Sequence, residues 1–188
     1  MGKRKMGETT KLKELILYLS QRMDEDQHVG RGRIKLAKLL WRCDFAAYWR
    51  FGEPITEAHY HADRLGPAPA EEMLALRDLE GDGRLELRNE WDQQQIPIAI
   101  GEPPNLDVFS AAQIALVDDQ LRRYQLVTAR TMVDEAHEFP GWINAWRKGA
   151  GKHDPIPLGS VFWDSRTEIE PWENEHARVL AEELGISS

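Results

Sequence analysis

RIKLAKLLWRCDFAAYWRF, residues 33–51, is the stretch whose reading decides the fold. On a helix its apolar side chains surround most of the circumference: Ile34, Leu36, Ala37, Leu39, Leu40, Trp41, Cys43, Phe45, Ala46, Ala47, Tyr48 and Trp49. A helix this apolar is central and packed on several sides. The spacing therefore predicts the middle helix of a mainly helical domain, closed by Gly52 and Pro54. Its remaining stripe is basic, with Arg31, Lys35, Lys38 and Arg42 recurring at helical spacing. That stripe reads either as an ordinary solvated face or as a contact for an anionic partner.

Outward from this segment, residues 1–9 read as a flexible basic tail. A first helix runs from Thr10 to about Met23, with Leu12, Leu15, Ile16, Leu19 and Met23 on one stripe. Residues 52–69 read as a loop or short helix ending in Gly66-Pro67-Ala68-Pro69. Pro69 suits the first turn of a helix over 69–80. After the Gly81-Asp82-Gly83 break, residues 84–88 and 95–100 alternate in polarity and predict two short strands, with Pro97 placing the second at an edge. Ser110 and Gln113 form a capping-box pattern that opens a helix to Tyr124. Thr128 caps a short helix to His137, and Pro140 starts a turn carrying Trp142 and Trp146. A last helix spans about 171–184, with Trp172, Leu180 and Leu184 as its docking side chains. The expected fold is mainly α (α+β): a compact helical domain of about six to seven helices with a small antiparallel β-hairpin, winged-helix-like in part. It divides into the tail 1–9, a helical domain 10–163 and an extension 164–188.

The chain has 188 residues and a formal net charge of −8. Residues 1–50 carry a net +6 and the rest a net −14, by count of the sequence. An acidic body argues against non-specific wrapping of nucleic acid, which needs a positive field. The single cysteine, Cys43, excludes an intrachain disulfide and a cysteine-rich zinc module. No apolar run is long enough to span a bilayer, so the expectation is a cytoplasmic protein with no membrane partner.

Candidate chemistry is sparse. His59, His61 and Asp63 are the one dense set of metal-ligand types, and on a strand they would share a face. A metal-dependent hydrolase is therefore one reading, with His137 as a distant further ligand; two turn histidines are the plainer one. Cys43 sits in the most apolar helix, where a thiol is inert. Gly30-Arg-Gly-Arg33 and Gly149-Ala-Gly-Lys152 fit neither the phosphate-binding loop nor the dinucleotide fingerprint, so no cofactor is expected. Helix 69–80 with strands 84–100 could form a recognition helix and wing. Glu71 and Glu72 in its first turn would repel phosphates, which weakens the reading as a DNA-binding autoregulator.

The runs Lys35 to Trp41, Asp44 to Tyr48, Gly52 to Thr56 and Tyr60 to Pro67, then Thr128 to His137 followed by Gly141-Trp142, resemble the Panacea domain of SocA-like antitoxins. The resemblance spans about 11–163. Asp63 stands where that family often has an aromatic residue, Ala68 where it often has valine, and 164–188 fall outside the match. The resemblance implies a helical domain with a small hairpin, found in bacterial and phage genomes and often prophage-associated. It implies the antitoxin of a type II toxin–antitoxin pair, not an enzyme, which neutralises a cognate protein toxin by direct binding. Operator DNA and a homodimer stay open as further partners. The motif positions are Lys35, Lys38, Asp44, Gly52, Gly66, Pro67, His137 and Trp142. The expected contact regions are the basic stripe including Arg42, the Gly66-Pro67 turn and the Trp142/Trp146 turn.

Overall fold

A computed structural model describes residues 6–56, 58–90 and 95–163. Within them lie six α-helices: α1 (Met6–Glu25), α2 (Arg33–Phe51), α3 (Glu72–Gly81), α4 (Ala111–Tyr124), α5 (Ala129–His137) and α6 (Pro140–Trp146). Five strands accompany them: β1 (Tyr60–Asp63), β2 (Gly66–Pro69), β3 (Leu85–Asn89), β4 (Gln95–Ala99) and β5 (Pro155–Ile156). The architecture is mainly α with a small antiparallel β component, as expected. The expected helix 171–184 and residue Trp91 lie outside the described residues.

α2 is the axis of the molecule. It packs against α1, α4, α5, β2 and the 3-10 turn at Leu158–Phe162. Leu36, Leu39, Leu40, Trp41, Cys43 and Phe45 are all buried, joining the α1 stripe of Leu12, Leu15, Ile16, Leu19 and Met23 in one core. Gly52 ends α2 at φ +78, its N–H donating to Tyr48 O, a left-handed closure that glycine adopts at no steric cost. The Ser110/Gln113 capping box opens α4 as expected, and the Thr128 hydroxyl accepts from Thr131 N at the start of α5. Trp49 departs from the expected core: it is 64% exposed, because the last turn of α2 runs past the packed layer. The Cys43 thiol is fully buried, and burial pushes its pKa well up, which keeps it protonated and unreactive.

Residues 60–69 overturn the expectation of a loop or short helix. β1 and β2 form a hairpin with Tyr60 opposite Pro69 and Asp63 opposite Gly66, turned by Arg64 and Leu65. β5 pairs on the other side of β1, giving the order β2-β1-β5. The edge position explains how a strand can hold both Pro67 and Pro69, which have no N–H to donate. Pro69 therefore belongs to β2, and α3 begins at Glu72, not at 69. The helix α1 likewise begins at Met6, before Thr10. β3 and β4 form the second hairpin as expected, with Pro97 opposite Leu87.

One core group makes the fold sensitive to acid. His28 is 4% exposed, and neither ring nitrogen has a hydrogen-bond partner among the described residues. Burial, helped by the nearby Lys35 ammonium, holds its pKa down to about 4 from an ordinary 6.5. A base with a lowered folded pKa favours the unfolded chain once protonated, so its contribution is intact above pH 6.5 and is lost as pH falls toward 4. Burial raises Glu72 to about 7, so this carboxyl acts with the opposite sign over an overlapping window. Comparison with His28→Leu separates the two. The stability difference between parent and variant, from urea midpoints, should shift against the parent by about 2–3 kcal/mol between pH 7 and pH 4.5. A difference that stays flat with pH refutes this role for His28.

Candidate functional site: the clamped 60–69 hairpin

Several residues singled out from the sequence, Lys38, Asp44, His137 and Trp142, come together on the 60–69 hairpin. Asp44, fully buried on α2, holds the approach to it. Its Oδ1 accepts from Ile55 N and Thr56 N, both at 2.8 Å, and its Oδ2 accepts from the hydroxyls of Thr56 and Tyr60. Burial raises the Asp44 pKa, opposed by these four donors. Six residues earlier on α2, Lys38 Nζ donates to Pro67 O at 2.7 Å. From the other side, His137 Nε2 lies 3.0 Å from Arg64 O, and Trp142 Nε1 donates to Asp63 O at 2.8 Å. A carbonyl only accepts, so His137 carries its proton on Nε2.

Gly66 is the point of closest approach. Its φ is +104, and a Cβ built there would stand 2.7 Å from Ala136 Cβ and 3.1 Å from Lys38 Nζ. Only glycine admits both this conformation and this contact. The rings of His137 and Trp142 stack at 4.3 Å between centroids, and Trp142 and Trp146 stack at 5.6 Å. Trp142 is buried and Trp146 half-buried, so these aromatics brace α6 against the hairpin and do not stand out as exposed anchors.

The basic stripe is also corrected. Lys35 and Lys38 are 0% and 2% exposed, not a solvated face. Lys35 Nζ donates to Val29 O and Val127 O at 2.7 Å and lies 3.4 Å from Gln125 O, tying the α1–α2 loop to the end of α4. Carbonyls at a helix C-terminus have no intrahelical donors and attract a cation. Burial lowers both lysines to about 8. Arg42 is half-buried over the Trp41 ring and pairs with Glu135 at 2.7 Å. Arg31 pairs with Asp24.

What faces solvent is the hairpin tip. A groove of about 500 Å3 lies between the tip and α5, walled by Ile34, Leu65 and Val133 and rimmed by Arg64, Arg130 and Asp134. The sequence reading missed this groove, because its walls come from three segments far apart in the chain. The expected turn at Gly66-Pro67 is instead made by Arg64-Leu65, with Gly66 and Pro67 in β2, and this adjacent pair was the one local signal.

The alternative sites fare differently. His61 and Asp63 do share the outer face of β1, but His59 pairs with Glu71 at 2.9 Å and His61 packs on the His153 ring. Among the described residues no three His, Cys, Asp or Glu side chains are placed to hold a metal ion. α3 followed by the β3–β4 hairpin has the order of a winged helix, but Glu72 turns inward and Arg77 is the one basic side chain α3 carries. No described helix is long and apolar enough to cross a membrane.

Residues 36–143, from α2 into α6, match the family model for the antitoxin SocA-like, Panacea domain. No curated protein and no solved structure matches the chain. The matched span includes the Asp44, Lys38, His137 and Trp142 contacts that clamp the hairpin. The chain therefore belongs to the SocA-like antitoxin family and carries its Panacea domain.

Proposed function

We propose that this protein is the antitoxin of a type II pair and neutralises a cognate protein toxin by direct, stoichiometric binding. The observation that carries this reading is the family match over 36–143. The arrangement of the site supports it: the motif side chains Lys38, Asp44, His137 and Trp142 hold the hairpin in place, and the tip is left to meet a partner. Lys35, Lys38, Asp44, Gly66, Pro67 and Trp142 shape the surface from behind. Arg64, Leu65, Arg130 and the exposed edge of His137 meet the toxin, with Arg42 and Trp146 at the margin.

Co-expression tests the reading. The product of the neighbouring gene should arrest growth alone, be relieved by this protein, and co-elute with it. A product that is harmless alone, or whose toxicity persists with no complex formed, overturns it. Arg64→Glu and Arg130→Glu should each weaken the complex at least about tenfold with no loss of thermal stability. Unchanged affinity in both variants moves the contact away from the groove.

A further inference from the structure

A second cavity, of about 350 Å3, opens on the other side of Leu65, between α2, the 60–69 hairpin and α3. Arg33, Lys38, Asp63 and Glu72 face it, with Leu65 and Ala68 as apolar wall. Two cations and two carboxylates leave this wall without net charge. Arg33 Nη1 donates to Gln95 Oε1 on the same wall, but Glu72 and Lys38 are short of partners. Glu72 is 5% exposed, and its Oε1 has no hydrogen bond among the described residues. The nearest cation, Arg33 Nε, stands at 3.6 Å, beyond hydrogen-bonding distance. Lys38 uses one N–H on Pro67 O, and the described residues supply no acceptor for the other two. Lys38 and the carboxylates face the same space without forming an ion pair.

Buried polar atoms normally find partners. Here the missing partner must present a donor to Glu72 and an acceptor to Lys38, and a wall without net charge favours a neutral molecule. A carbonyl adjacent to an N–H meets both demands. The size sits at the lower end of small-molecule sites, which span about 300–1,000 Å3 and suit one or two rings at that end. We propose that this cavity binds a small neutral ligand with an amide or lactam edge, its N–H donating to the Glu72 carboxyl and its carbonyl accepting from Lys38 Nζ. The values of about 7 for Glu72 and about 8 for Lys38, both caused by burial, agree with charged groups that lack close partners. The site stands whether or not the toxin reading holds.

Calorimetry on the full chain tests it with nicotinamide and hypoxanthine as probes. Their N,N-dimethyl and 1-methyl counterparts, which lack the N–H, serve as controls. At least one probe should bind, and its methylated counterpart should bind at least about tenfold more weakly. Glu72→Leu should weaken the probe by a similar factor while folding as well as the parent, since the buried carboxyl it removes has only a long 3.6 Å ion pair to Arg33, whose guanidinium keeps Gln95. Ala68→Leu narrows the cavity and gives a second, independent loss. The proposal is overturned by no binding of either probe up to about 10 mM. It is equally overturned by equal binding of the methylated forms, or by undiminished binding in Glu72→Leu.

Discussion

Asp44→Ala should destabilise the protein by about 3–5 kcal/mol, the largest effect of any single polar substitution. The carboxylate is fully buried and accepts four hydrogen bonds from Ile55, Thr56 and Tyr60. Its removal orphans two backbone N–H groups and two hydroxyls in a dry region, each costing about 1–3 kcal/mol unless water enters. Asp44→Asn keeps the volume, and its carbonyl oxygen can still serve Ile55 N and Thr56 N. Its amide would then donate to the two hydroxyls, which can accept, so the expected loss is smaller, about 1–3 kcal/mol. Urea denaturation of both variants checks the ordering. Loss of less than about 1 kcal/mol in Asp44→Ala would mean that the hairpin does not depend on this anchor.

Gly66→Ala is expected to cost about 2–5 kcal/mol, from left-handed strain and overpacking acting together. The new methyl would press on Ala136 Cβ at 2.7 Å and on Lys38 Nζ at 3.1 Å. Ala136→Gly removes the first obstacle, so the double variant should be less destabilised than the two single losses predict together. The remaining deficit combines the φ of +104, the Lys38 contact and the cost of glycine inside α5. Strict additivity in thermal or urea unfolding would exclude steric conflict as the cause. Toxin neutralisation should fall with the fold in Gly66→Ala and recover in part with the double change.

The contrast between what the sequence predicts and what the fold contains has physical reasons. The α1 stripe, the apolar α2, the Ser110 capping box and the β3–β4 pair are local patterns, and each forms where its residues predict. The β1–β2 hairpin is hidden because each strand has four residues and one of them holds two prolines. Its stability comes from Asp44, Lys38, His137 and Trp142, residues far from it in the chain. Lys35 and Lys38 are read as solvent-facing because periodicity treats every lysine as polar surface. Their partners are backbone carbonyls of other segments, which leave no trace in composition. Of the motif positions, Lys38, Asp44, His137 and Trp142 all contact residues between 55 and 67.

The outer edge of β2 has a consequence for how any partner can approach. Ala70 N donates to His59 O across the hairpin, so by the alternation of an antiparallel pair the N–H positions of 67 and 69 point away from β1. Both are proline, and the Pro67 carbonyl on that side is already taken by Lys38. A fourth strand laid alongside would find no donor at 67 or 69 and one acceptor already engaged. Recruitment of a foreign strand, and with it edge-to-edge self-association, is blocked there by the covalent chemistry of two residues. A contact at this edge is therefore left to the side chains the hairpin displays.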